Sequence, residues 1–220
     1  LPETGTLYGC PQSLFKFHPD FDAVLAEIAA GDPQGHIVLI DGHSKSWSER
    51  LRARWARSAP ILLERVRFVP RVPLDRFMGL LAHFAVVLDP IHFGSGNTLY
   101  EAMAYSQPVI TLLGRFACGR FVAAAYQQMG LEDIAPIARS IEEYASVALS
   151  FGRDPARRQA FRESALAARE KLYADIQAVR EFEAFIEAAL QAAARGEKLP
   201  SGFRLGENAA PRGLTVGAEP

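Results

Sequence analysis

Along the chain, short runs of β-branched and aliphatic residues alternate with stretches in which apolar side chains recur every three to four positions. This alternation is the signature of a parallel sheet wound by helices, because each buried strand needs a crossover before the next parallel one. The runs predict five strands, at residues 6–10, 36–40, 65–69, 85–88 and 109–112. Helical spacing predicts helices at 21–30, 47–57, 74–82, 97–105, 119–129, 140–150, 154–171 and 175–194. In the first of these, Phe21, Val24, Leu25 and Ile28 form the apolar stripe, and Gly31, Asp32 and Pro33 stop it. The last places Ile176, Val179, Phe182, Ile186 and Leu190 along one face, a stripe that needs a surface to cover. After Arg195 the pattern gives way to a polar segment rich in glycine and proline, expected to be a disordered tail over 196–220. The expected architecture is a doubly wound, mostly parallel α/β sheet occupying residues 1–195.

Composition narrows the classes of function. The 220 residues are 49% hydrophobic and 22% charged, enough for a full α/β core. Lys+Arg (24) nearly cancels Asp+Glu (25), so no basic field favours a nucleic-acid partner. No run approaches the roughly 18 uninterrupted apolar residues of a membrane helix. Cys10 and Cys118 stand far apart, outside any C-x-x-C spacing. They read as buried free thiols in a reducing cytoplasm, with a disulfide or a metal site as the alternatives.

The chemistry is concentrated in residues 88–111, LDPIHFGSGNTLYEAMAYSQPVIT. A strand ends near Asp89, a glycine-rich turn follows (Phe93, Gly94, Ser95, Gly96), a helix opens at Asn97 or Thr98, and another strand begins after Pro108. Open parallel sheets bind ligands at the carboxyl ends of their strands, where such turns lie. Glycines allow close backbone approach, and first-turn amides favour phosphate oxygens. Asn97 and Thr98 add side-chain donors, and Glu101, one turn in, is suited to accept two ribose hydroxyls. Steric demand alone also places glycine in tight turns, and a first-turn glutamate also serves the helix dipole.

The full string G-x-G-N-T-x-x-E-A-x-A-x-x-x-P-V-I-T resembles the ribose- and phosphate-binding segment of GT-B glycosyltransferases. More narrowly it is similar to the family-41 enzymes, O-linked N-acetylglucosamine transferase and its bacterial tetratricopeptide-repeat relatives. The resemblance extends over roughly residues 1–194. Leu14, Phe15 and Lys16 with Pro19 are similar to the loop whose lysine contacts the donor diphosphate. Residues 68–73 (FVPRVP) resemble the segment whose backbone holds the uracil, near Val72. Gly114-Arg115 and Gly119-Arg120 continue the pattern, and Val179 to Glu183 resembles the closing helix. Three departures stand out. Leu74 and Phe77 occupy the places of a lysine and a histidine that touch the nucleotide in animal members. Glu101 stands where those members use aspartate. Gly96, Asn97 and Thr98 replace a His-Thr-Thr.

The resemblance implies a Rossmann-like C-terminal lobe of a GT-B enzyme, with the acceptor side on the opposing lobe. It implies transfer of a hexose or N-acetylhexosamine from a UDP-sugar to a protein or glycan acceptor, in a cytoplasmic bacterial protein. Retaining GT-B enzymes pair two glutamates eight positions apart; counting back from Glu101 gives Phe93, so inverting chemistry is expected. The implied nucleotide-sugar contacts are Lys16, Val72, Gly94, Ser95, Gly96, Asn97, Thr98 and Glu101, with Gln12, His18 and His92 as further candidates. The catalytic base is unassigned. No clustering of histidines or aspartates suggests a metal, so donor activation is expected from Lys16 and helix amides alone. His36, His43 and His83 read as structural, and Trp47 and Trp55 as packing residues. A non-catalytic scaffold of the same fold and a nucleotide-sugar epimerase are the competing readings.

Overall fold

The computed structural model describes residues 1–205. It divides into two compact units, Leu1–Leu172 and Tyr173–Pro220. Of the tail expected over 196–220, residues 206–220 lie outside the described residues. The described remainder of that segment contains a turn closed by the Phe203 amide on the Pro200 carbonyl.

The first unit is built on six strands: β1 (Leu7–Cys10), β2 (His36–Ile40), β3 (Val66–Val69), β4 (Val86–Leu88), β5 (Val109–Leu112) and β6 (Ile137–Ala138). All neighbouring pairs are parallel, in the order β3-β2-β1-β4-β5-β6. Five of these match the predicted runs to within a residue at either end. β6 was missed because two residues next to Pro136 cannot display a period of two.

Between and after the strands run α1 (Pro19–Gly31), α2 (Lys45–Ser58), α3 (Ile61–Arg65), α4 (Leu74–His83), α5 (Asn97–Met103), α6 (Phe121–Met129), α7 (Ile141–Gly152), α8 (Pro155–Ala168) and α9 (Glu170–Tyr173). Local chemistry sets several of their ends. His18 caps α1 by accepting the Asp20 amide, with Pro19 at the first helical position. Asp154 caps α8 ahead of Pro155 in the same way, through the Arg157 amide. α6 stops at Gly130, whose φ of 73° is the left-handed cap glycine supplies cheaply. The single helix expected over 154–171 is broken at Arg169, where the Leu172 amide bonds the Arg169 carbonyl in a tighter turn and Leu172 is buried.

The strand order dictates the layering. β1–α1–β2 winds toward one edge of the sheet and β4–α5–β5 toward the other. With right-handed crossovers, α1 and α5 therefore lie on opposite faces. α1 packs against α3 and α7, and α4 packs against α5. The predicted stripe of α1 is the core of its layer, with Phe21 and Leu25 at 0% exposure and Val24 and Ile28 at 1%. The winding reverses between β1 and β4, which are hydrogen-bonded neighbours. A sheet of this order opens a crevice at the carboxyl ends of those two strands, where ligands bind. The sequence there is Pro11–Lys16 after β1 and Asp89–Gly96 after β4.

The second unit contains α10 (Ile176–Ala194), capped by Asp175 on the Gln177 amide. Ile176, Val179, Phe182, Ile186 and Leu190, the stripe read from the sequence, are all exposed on it. Among the described residues no helix is long and apolar enough to cross a membrane.

Candidate functional site

The carboxyl end of β4 is organised by a buried carboxylate. Asp89 is 3% exposed. One oxygen accepts both the Ser95 amide (2.5 Å) and the Ser95 hydroxyl (2.7 Å). The other accepts the Thr111 hydroxyl from β5 (2.8 Å). Its backbone is fastened as well: the Asp89 amide donates to the Tyr144 hydroxyl, which lies 2.8 Å from the Asp89 and Ile110 carbonyls. Burial raises the Asp89 pKa, opposed by the Ser95 and Thr111 hydrogen bonds and by the charge of Lys16. Sequence reading treated Asp89 only as the end of a strand. The available signal was an acidic residue closing an apolar run directly before a glycine-rich turn.

Asp89 folds the turn back on itself, and this explains Gly94. A Cβ at that position would lie 2.7 Å from an Asp89 oxygen and 3.1 Å from the Cys118 carbonyl. Gly94→Ala is therefore expected to destabilise the domain by about 1–3 kcal/mol, the usual cost of overpacking, read as a lower urea midpoint. At Gly96 the situation is the reverse: a Cβ would meet no atom within 4 Å. Protein packing does not demand glycine at 96, and the space beside it is open.

The β1 loop reaches the same turn from the other side of the crevice. A 3₁₀ turn at Leu14–Lys16 carries the lysine. Lys16 Nζ donates to the Gln12 side-chain carbonyl (2.7 Å) and to the Gly94 carbonyl (2.9 Å), and sits 4.7 Å from the Phe93 ring centre. Gln12 in turn donates to the Ser95 hydroxyl (3.0 Å). Partial burial lowers the Lys16 pKa, opposed chiefly by Asp89. Gln12, Lys16, Gly94 and Ser95, drawn from two segments of the sequence, thus form one connected group. Ser95 faces inward, at 1% exposure with both its donors committed. It shapes the turn. Gly96, Asn97, Thr98 and Glu101 follow at the opening of α5, where no side chain caps the first turn and the Leu99 amide bonds the Gly96 carbonyl (3.1 Å). Glu101 is half-buried, and among the described residues its carboxylate has no hydrogen-bond partner.

Beside this group, across the ends of β1, β2 and β3, lies a cavity of about 480 Å³ bordered by Gln12, Asp41, His43, Trp47, Val72 and Phe77. Val72 and Leu74 both border it. His43 also borders the cavity. Trp47 packs against the core and meets Phe15 edge-on at 6.0 Å, as expected of a packing residue, and borders the cavity as well. Trp55 packs too, fully buried and stacked on Phe68. Helical spacing relates Trp47 to Trp55 but cannot show that α2 begins at the cavity rim.

His18 and His92 do not join the Lys16 group. They meet each other and Asp20 instead, with His92 Nε2 2.8 Å and His18 Nδ1 3.3 Å from one Asp20 oxygen. The expectation that no histidines and aspartates cluster is thereby overturned, because the partners are 72 residues apart in sequence. Both cysteines are free. Cys10 is buried, and its thiol pKa is raised by burial. Cys118 is only partly buried, short of the buried thiol expected.

Comparisons with known proteins bear on the fold. No family model matches the chain, and no curated protein does. Solved structures match it well. A point mutant of the Thermobaculum terrenum O-GlcNAc transferase superposes with a TM-score of 0.69 at 25% identity, over 76% of this chain and 32% of that one. The sucrose-phosphate synthase of Thermosynechococcus elongatus gives 0.60 at 20% identity, over 88% of this chain and 47% of that one. Anabaena HepE, solved with UDP and glucose, gives 0.56 at 16%, over 81% and 48%. The chain spans about a third of the length of the first of these and about half of the others. It has the GT-B-type glycosyltransferase fold, in the form of the Rossmann-like lobe. That is the fold of nucleotide-sugar-using transferases, and the likeness includes an O-GlcNAc transferase.

Proposed function

We propose that this chain is the donor-binding half of an inverting glycosyltransferase that moves a hexose or N-acetylhexosamine from a UDP-sugar to a protein or glycan acceptor. The observation that carries this reading is the placement of Lys16. Its ammonium is held by Gln12 and the Gly94 carbonyl at the topological switch point, between a nucleoside-sized cavity and the open space beside Gly96. The base lies in the cavity around Val72 and Trp47. The diphosphate lies against Lys16 and the opening of α5, and the ribose hydroxyls lie on Glu101. Lys16 and oriented amides offset the charge that grows on the departing diphosphate, which is electrostatic stabilisation of the transition state. The donor lobe is assigned to residues 1–195, and the acceptor and the general base to an opposing lobe.

Calorimetry with UDP and the intact chain tests the binding half of this reading. Saturable one-to-one binding supports it, and no heat at millimolar UDP rejects it in favour of a scaffold that keeps only the fold. The second half predicts no transfer. A general base has to sit within about 3 Å of the proton it removes, and no such group is assigned within this chain. Purified chain given a radiolabelled UDP-sugar and a panel of protein and glycan acceptors is expected to show only slow donor hydrolysis. Robust transfer would place the base within residues 1–220.

A further inference from the structure

We propose that His18, Asp20 and His92 form a binding site for a borderline divalent transition-metal ion of the zinc class, at the rim of the crevice. One ligand atom from each residue lies within 4.8 Å of the others. Asp20 Oδ2 is the common neighbour, 3.3 Å from His18 Nδ1 and 2.8 Å from His92 Nε2. In a tetrahedral zinc site with bonds near 2.0–2.1 Å, donors stand roughly 3.3 Å apart. Two of the three separations are therefore within about half an ångström of what chelation requires, and half-exposed side chains adjust that far without disturbing a core. Two imidazole nitrogens and one carboxylate oxygen suit zinc, cobalt or nickel, whereas magnesium and calcium take oxygen sets.

His18 Nδ1 also accepts the Asp20 amide at 3.2 Å, a bond its single in-plane lone pair gives up when it ligates an ion. The ring of His92 closes the other side, edge-on to His18 with centres 4.6 Å apart. His92 holds a φ of 72°, a left-handed conformation uncommon outside glycine, in a loop tied down by the Gly94 amide on Cys118 and the Cys118 thiol on the His92 carbonyl. The donors come from the N-cap and first turn of α1 and from the β4–α5 loop. An ion held by both would clip together the segment bearing Lys16 and the segment bearing Gly94. The side chains are about half exposed, leaving the fourth coordination position to water.

The test uses the full chain, stripped with a chelator and free of nucleotide, so its outcome is independent of donor binding. Zn²⁺ is titrated against a chromophoric competitor, and Co²⁺ is added for its visible spectrum. The site predicts one equivalent bound at micromolar Kd or tighter, tetrahedral cobalt bands, a zinc-dependent rise in Tm and no displacement by millimolar Mg²⁺. His18→Ala, His92→Ala and Asp20→Asn are each expected to weaken zinc by roughly tenfold or more, while His83→Ala leaves it unchanged. Should His92→Ala lose its fold, Asp20→Asn at its half-exposed position gives the same reading. Absence of saturable zinc binding, or zinc binding unaltered in the His18→Ala and Asp20→Asn proteins, overturns the proposal.

Discussion

Replacing Asp89 with alanine is expected to cost about 3–5 kcal/mol of folding free energy. The substitution strands three buried donors, the amide and hydroxyl of Ser95 and the hydroxyl of Thr111, at about 1–3 kcal/mol for each unsatisfied group. Removing a buried charge returns part of that total. Thermal unfolding should begin roughly 10 °C lower, and the glycine turn should lose the shape that places Gly94 against Lys16. Asp89→Asn retains one acceptor oxygen and should cost less than alanine. The two variants also separate the effect of charge. Burial raises the Asp89 pKa above its ordinary 3.8, so the native state holds this proton more tightly than the unfolded chain does. The contribution is complete below that ordinary value and is lost as pH rises through the native one. The stability difference between wild type and Asp89→Asn, followed by urea unfolding from pH 3 upward, should shift against the wild type across that window. A flat difference would show that Asp89 titrates alike in both states.

The second large effect is expected on ligand affinity and divides between two residues. Lys16→Ala removes the cation at the switch point and should weaken UDP by roughly 10–100-fold, the equivalent of about 1.5–3 kcal/mol for charge-assisted hydrogen bonds. Uridine, which lacks phosphates, should bind Lys16→Ala about as well as wild type. Glu101→Ala should weaken UDP and uridine alike by a similar factor, because both carry the ribose hydroxyls. Calorimetry on the four combinations gives a pattern that a general loss of structure cannot imitate. Equal UDP affinity in wild type and Glu101→Ala would remove Glu101 from the site.

How far the sequence reached can be argued from particular residues. The strands at 36–40 and 109–112 and the stripe of α1 were legible because burial imposes a period that propensity and turn residues punctuate. The glycine turn at 93–96 was legible as a turn between strand and helix for the same local reason. β6 and α3 were not, being too short to carry a period. Within the site, Lys16 was picked out through its neighbours in sequence, but its partners Gln12 and Gly94 follow only from how β1 lies beside β4.

The sequence by itself therefore determined the alternation of strands and helices, the place of the glycine-rich turn and the candidate contacts along it. Those properties depend on near neighbours, through periodicity, capping and the backbone freedom of glycine. Tertiary structure alone decided the strand order that opens a crevice between β1 and β4. It also turned Ser95 inward to Asp89, set Trp47 and His43 on a cavity wall, and brought His18 and Asp20 to His92. Each of these depends on a contact between segments far apart in sequence, selected by the burial of a whole sheet, and no local pattern encodes a contact of that kind.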